Sequence, residues 1–169
     1  MDFPSAPANY RPAPNLLQGK TILVTGAGDG IGRSAALAYA AHGATVILLG
    51  RTESKLEKVY DEIEAAGGPK PALVALDLAT ATEDNVAHLA AGLAQEFQHL
   101  DGLLHNASIL GERRPVESAH YTAWLEVMQV NVNAQFLLTR HLLPLLQAAP
   151  AASIVFTSSG VGRKGRAYW

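Results

Sequence analysis

The chain has 169 residues, enough for one domain with a core of its own. An apolar fraction of 49%, a charged fraction of 17% and a net charge of −2 describe a soluble globular protein with no electrostatic case for nucleic acid or an anionic membrane. It has no cysteine, which excludes disulfides and thiolate metal sites, and its six histidines show no short ligand spacing.

No apolar run reaches the length of a membrane span, and the N-terminus lacks the basic-then-apolar layout of a secretory signal. The expected location is therefore the cytoplasm. Residues 1–18 carry Pro4, Pro7, Pro12 and Pro14 and predict an extended arm, followed by one domain over 19–169. From Lys20 the chain alternates short apolar runs with amphipathic stretches. Lys20 to Thr25 predicts a first strand, and Ile31 to His42 a helix stopped by Gly43. Ala44 to Leu49 predicts strand two, Glu53 to Ala66 a helix, and Ala72 to Leu76 strand three. Thr82 to Phe97 predicts a helix with Thr82 as its N-cap and Glu83 and Asp84 in its first turn. Strand four spans Leu100 to His105, a loop runs to about Ser118, one long helix covers roughly 119–146, and Ser153 to Thr157 is strand five.

Strands separated by helices imply parallel pairing with right-handed crossovers, and continuous apolar strands imply a sheet covered on both faces. The expected fold is a Rossmann-type doubly wound parallel sheet with helices on both faces. Its ligand belongs beyond the carboxyl ends of the strands. The residues there are small and polar: Gly26 to Gly32, Gly50-Arg51, Asp77-Leu78, Asn106-Ala107-Ser108 and Ser158-Ser159.

The first of these groups carries the most information. Thr25-Gly26-Ala27-Gly28-Asp29-Gly30-Ile31-Gly32 stands between a strand and a helix. Glycines there allow a sharp turn and let a pyrophosphate approach bare backbone, while the helix N-terminus offers unpaired amides and a positive dipole end. The spacing is Gly-x-x-x-Gly-x-Gly from Gly26, Gly30 and Gly32, with Ile31 where a Gly-x-Gly-x-x-Gly pattern has its last glycine. No Gly-Lys-Ser/Thr follows, which disfavours phosphate-transfer chemistry.

These landmarks resemble the short-chain dehydrogenase/reductase family. Thr25 to Gly32 is similar to its cofactor loop, and Asp77-Leu78 to the pair beside its adenine. His105-Asn106-Ala107-Ser108 resembles its Asn-Asn-Ala-Gly turn, with Ser108 in place of glycine. Asn131 matches its active-site helix asparagine, and Ser158-Ser159 its catalytic serine region. The resemblance implies an oxidoreductase that moves hydride between a nicotinamide cofactor and an alcohol or carbonyl. It also implies Ser159 and Asn131 as catalytic residues, and Gly26, Gly28, Asp29, Gly30, Ile31, Gly32, Asp77, Leu78, Asn106, Ala107 and Ser108 around the cofactor. Thr25 is either a hydroxyl tie to a neighbouring loop or an ordinary strand end. Asp29 is read as turned to solvent or bonded to a loop amide, Asp77 as adenine acceptor or turn cap, and Asn106 as cofactor contact or strand bridge.

The end of strand two decides the cofactor type. NAD enzymes place a carboxylate there to hold the ribose 2′-hydroxyl. Here the position is Gly50, followed by Arg51. A guanidinium at a 2′-phosphate is worth roughly one to two powers of ten in affinity, so NADP is expected over NAD. The family's catalytic tyrosine and lysine would fall past Trp169. Tyr168 stands only nine residues after Ser159, too close to take that role without a rebuilt loop. The chain is therefore expected to be the cofactor-binding part of a C-terminally truncated fold, with little or no activity. The alternative is an NADP-binding sensor or interaction module. The apolar residues of the 119–146 helix, among them Trp124 and Phe136, imply a homo-oligomer.

Overall fold

A computed structural model describes residues 10–168, so the first nine residues of the expected arm and Trp169 lie outside the described residues. Five parallel strands form one sheet in the order β3-β2-β1-β4-β5. They are β1 (Thr21–Thr25), β2 (Thr45–Gly50), β3 (Ala72–Ala75), β4 (Gly102–His105) and β5 (Ser153–Phe156). The order reverses between β1 and β4, which defines the switch point of a doubly wound sheet. Register there pairs Leu23 with Ile47 on one side and with Leu103 on the other.

Alternation along the strands builds two cores. Leu23, Ile47, Leu49 and Leu103 point to one face and pack with α3 (Glu83–Glu96) and α5 (Ala134–Ala148). Ile22, Val24, Val46, Leu48 and Leu104 point to the other, against α1 (Gly30–Ala41) and α2 (Glu53–Ala65). Each buried leucine or isoleucine stabilises by about 1.5–3 kcal/mol, and strands and helices both supply them. At the amino ends of the strands Asp101, 7% exposed, accepts from Lys20 Nζ at 2.8 Å and Thr21 N at 2.9 Å and holds β4 beside β1.

Local signals explain the boundaries. Thr82 Oγ1 accepts from Asn85 N at 3.2 Å while Asn85 Oδ1 accepts from Thr82 N at 3.0 Å, so Thr82 is the N-cap of α3 as expected and Asn85 makes the cap reciprocal. Within the described part of the arm, residues 14–19 form turns rather than an extended run, and Leu17 N donates to His42 O at 2.9 Å.

The expected single helix over 119–146 is corrected. A short 3₁₀ turn occupies Val116–Ser118, and Ala119 is extended. The helix then runs as α4 (Tyr121–Met128), a π-helical segment over Gln129–Asn133, and α5 to Ala148. The cause is Asn131. Its Oδ1 accepts from Ile109 N and its Nδ2 donates to Ile109 O, both at 2.9 Å, so the helix widens where this side chain reaches out to the loop after β4.

Candidate functional site

The carboxyl ends of β1, β2, β3 and β4 surround a cleft of about 480 Å³. Its floor begins with Thr25, 1% exposed. The Thr25 hydroxyl donates to Leu104 O at 3.3 Å and accepts from Asn106 N and Ala107 N, each at 3.0 Å. Asn106 Nδ2 returns to Thr25 O at 3.3 Å. The glycine loop and the β4 turn are thus one hydrogen-bonded unit across the switch point, and Thr25 is the tie rather than a plain strand end.

Two glycines are required by contact. Gly26 has φ +67°, and a Cβ there would lie 3.0 Å from Ala107 Cα. A Cβ on Gly32 would lie 2.2 Å from Gly26 O and 2.6 Å from Asn106 Nδ2. The loop must therefore stay bare to lie against the β4 turn. On its outer side, the direction in which Gly30 would carry a Cβ is open.

Asp29 precedes the first turn of α1. Its Oδ1 accepts from Gly30 N at 2.8 Å, and its Oδ2 pairs with Lys55 Nζ at 2.6 Å. The bond from Lys55, then the Gly30 amide, hold the Asp29 carboxyl below its usual range. The amides of Ile31 and Gly32 follow in the first helical turn, where an α-helix supplies no acceptor.

Arg51 lines the cleft at the end of β2 and makes no hydrogen bond or ion pair with any described residue. Asp77 lines it at the end of β3, with Oδ1 accepting from Ala79 N at 3.0 Å. Asp77 therefore caps its turn while facing the cleft. Leu78, Asn106, Ala107 and Ser108 complete the wall near β4.

Of the residues expected at the cofactor, Gly26, Gly28, Asp29, Gly30, Ile31, Arg51, Asp77, Leu78, Asn106, Ala107 and Ser108 line the cleft. Thr25 and Gly32 lie beneath it as supports. Asn131 and Ser159 do not line it. Asn131 holds Ile109, which does, and Ser159 Oγ accepts from Val161 N at 3.4 Å at the start of a short 3₁₀ turn. Tyr168 is 60% exposed and also stands off the cleft.

Sequence reasoning missed Lys55, Glu126 and Thr157, all of which line the cleft. Thr157 Oγ1 donates to Asn106 Oδ1 at 3.3 Å. One signal could have found Lys55: it is a cation in the first turn of α2, where the helix dipole disfavours positive charge. The burial of His105 was missed as well. It is 1% exposed, stacked on Phe156 at 4.7 Å, with Nε2 bonded to Thr139 Oγ1 at 2.9 Å and Nδ1 without a partner among the described residues. Burial pushes its pKa down from 6.5 to about 4, so the ring is neutral near pH 7.

Among the described residues no group of acidic, histidine or cysteine side chains could hold a metal ion, and no helix is long and apolar enough to cross a membrane.

A glycine-loop cleft at the switch point of a 3-2-1-4-5 sheet defines the dinucleotide-binding class of α/β domains. The chain belongs to the short chain dehydrogenase family, whose profile matches residues 20–169. It is 53% identical over 161 residues to the uncharacterized oxidoreductase YciK of Escherichia coli K12, covering 95% of this chain and 64% of that protein. The chain thus spans less than two thirds of that relative's length. The crystal structure of the Escherichia coli YciK oxidoreductase superposes with a TM-score of 0.92 at 53% identity, over 95% of this chain and 66% of that one. A Shigella flexneri 2a relative complexed with NADP superposes with a TM-score of 0.90 at 52% identity, over 93% of this chain and 66% of that one.

Proposed function

We propose that this chain is the NADP(H)-binding part of an oxidoreductase acting on an alcohol/carbonyl pair. The observation that carries the cofactor choice is Arg51. It is a guanidinium without a partner among the described residues, standing in the cleft directly after Gly50, the position where an NAD site would present a carboxylate. The NADP held by the Shigella flexneri relative supports the same choice.

The residues present suit the group. The bare Gly26–Gly32 loop and the first-turn amides of α1 receive a pyrophosphate, Asp77 and Leu78 border the adenine, and Asn106 to Ser108 border the ribose. When bound, the nicotinamide supplies the hydride chemistry. Ser159 is assigned to the substrate carbonyl oxygen, where its hydroxyl would stabilise developing negative charge. Asn131 positions the wall of the site by fixing Ile109 through both amide atoms. The acid that protonates the oxygen is, in the family, a tyrosine assisted by a lysine. These 169 residues assayed alone therefore bind the cofactor and turn over slowly, since general acid catalysis typically supplies about 10²–10⁴-fold.

The exposed apolar side chains of α4 and α5, Trp124 and Phe136 foremost, form the face on which a second copy of the chain packs. Calorimetric titration with NADPH and NADH tests the cofactor assignment. Arg51→Ala is expected to weaken NADPH roughly 10–100-fold and NADH far less. Equal weakening of both, or no uptake of either by folded protein, overturns it.

A further inference from the structure

The cleft is lined by two cations, Arg51 and Lys55, and by three carboxylates, Asp29, Asp77 and Glu126. A dinucleotide brings further negative charge into that space, and one with a 2′-phosphate brings the most. Asp77 is engaged by the Ala79 amide. Asp29 is different. It stands inside the phosphate loop, directly before the open first turn of α1, and its side chain is 76% exposed.

Lys55 answers that charge. Its Nζ lies 2.6 Å from Asp29 Oδ2. The approach is built in: a Cβ on Gly28 would meet Lys55 Cβ at 3.0 Å, so the bare glycine admits the lysine stem against the loop. Leu56, 1% exposed, anchors the same turn of α2 in the core. A cation at this first-turn position opposes the helix dipole, so local helix energetics do not explain it.

We propose that the Asp29–Lys55 pair is a specificity determinant of this site. Lys55 cancels the loop carboxylate that would otherwise share the cleft with a 2′-phosphate, and it leaves Arg51 free to receive that phosphate. The inference rests on the NADP reading above and names a residue pair that governs it.

The test is a double-variant cycle on the 169-residue chain, with NADPH and NADH affinities measured by calorimetry at low and high salt. Lys55→Met is expected to lower the NADPH-to-NADH affinity ratio roughly five- to tenfold at low salt, and less at high salt. Lys55→Arg keeps the ratio within about twofold of wild type, because the charge is retained. Asp29→Asn combined with Lys55→Met recovers most of the loss, which a purely structural role for Lys55 would not produce. Asp29→Asn alone raises the ratio, and this holds the proposal to account should Lys55→Met fail to fold. An unchanged ratio in Lys55→Met, no recovery in the double variant, or no rise in Asp29→Asn overturns the proposal. If Arg51→Ala abolishes NADPH preference while Lys55→Met leaves it intact, the ion-pair inference alone falls. If the wild-type chain shows no preference for NADPH, the cofactor reading falls and takes this one with it.

Discussion

Replacing Thr25 with valine removes one hydroxyl and almost no volume, and it separates hydrogen bonding from packing at the centre of the site. In the wild type that oxygen accepts from the amides of Asn106 and Ala107 at 3.0 Å and donates to Leu104 O at 3.3 Å. Thr25 is 1% exposed, so water cannot take the place of the oxygen. Two amides are left without their acceptor. A buried unsatisfied group costs about 1–3 kcal/mol, and the partial exposure of Asn106 and Ala107 places each at the low end. The expected total is about 2–4 kcal/mol. Thr25→Ser keeps the oxygen and loses one methyl, for about 1 kcal/mol. Urea unfolding followed by circular dichroism reads the difference. Because the loop and the β4 turn separate when the tie is lost, Thr25→Val should also weaken NADPH binding more than Thr25→Ser does. A Thr25→Val cost at or below that of Thr25→Ser would show that the hydroxyl is not what joins the two loops.

His105 has a folded pKa of about 4 against an ordinary 6.5, so between these values the unfolded chain binds the proton that the folded chain refuses. Its contribution is fully present above pH 6.5 and is lost as pH falls toward 4, roughly 3 kcal/mol in all. Urea unfolding of wild type and His105→Gln across that window should show a shallower slope in the variant; equal slopes refute the assignment. For assembly, light scattering of the wild-type chain should give a mass above the monomer. Phe136→Glu, at a site 62% exposed, should lower it, and a monodisperse wild-type monomer would remove the case for a second copy.

Much of this architecture was legible because its causes are local. The apolar runs around Leu23, Ile47 and Leu103 announce buried strands, Thr82 followed by Glu83 and Asp84 announces the start of α3, and the glycine spacing announces the loop. What stayed hidden depends on contacts distant in sequence. Lys55 meets Asp29 across 26 positions, and Thr157 meets Asn106 across 51. His105 reads as a polar strand end until Phe156 is laid against it. Asn131 is legible as the match to a family helix asparagine, yet nothing near it in sequence shows that Ile109 is what it holds.

That last contact has a geometric consequence. Val130, Ala134, Leu138 and Leu142 are buried at intervals of four. A regular α-helix would let such a stripe drift by about 40° at each step, away from the layer it covers. The wide turn over Gln129–Asn133 absorbs one of those steps. Downstream, α5 keeps Leu138, Leu142, Leu145 and Leu146 in the core. Upstream, α4 buries none of its residues and offers Glu126 to the ligand space. One amide group, gripping a backbone 22 positions earlier, thereby divides a single rod into a roof and a doorpost.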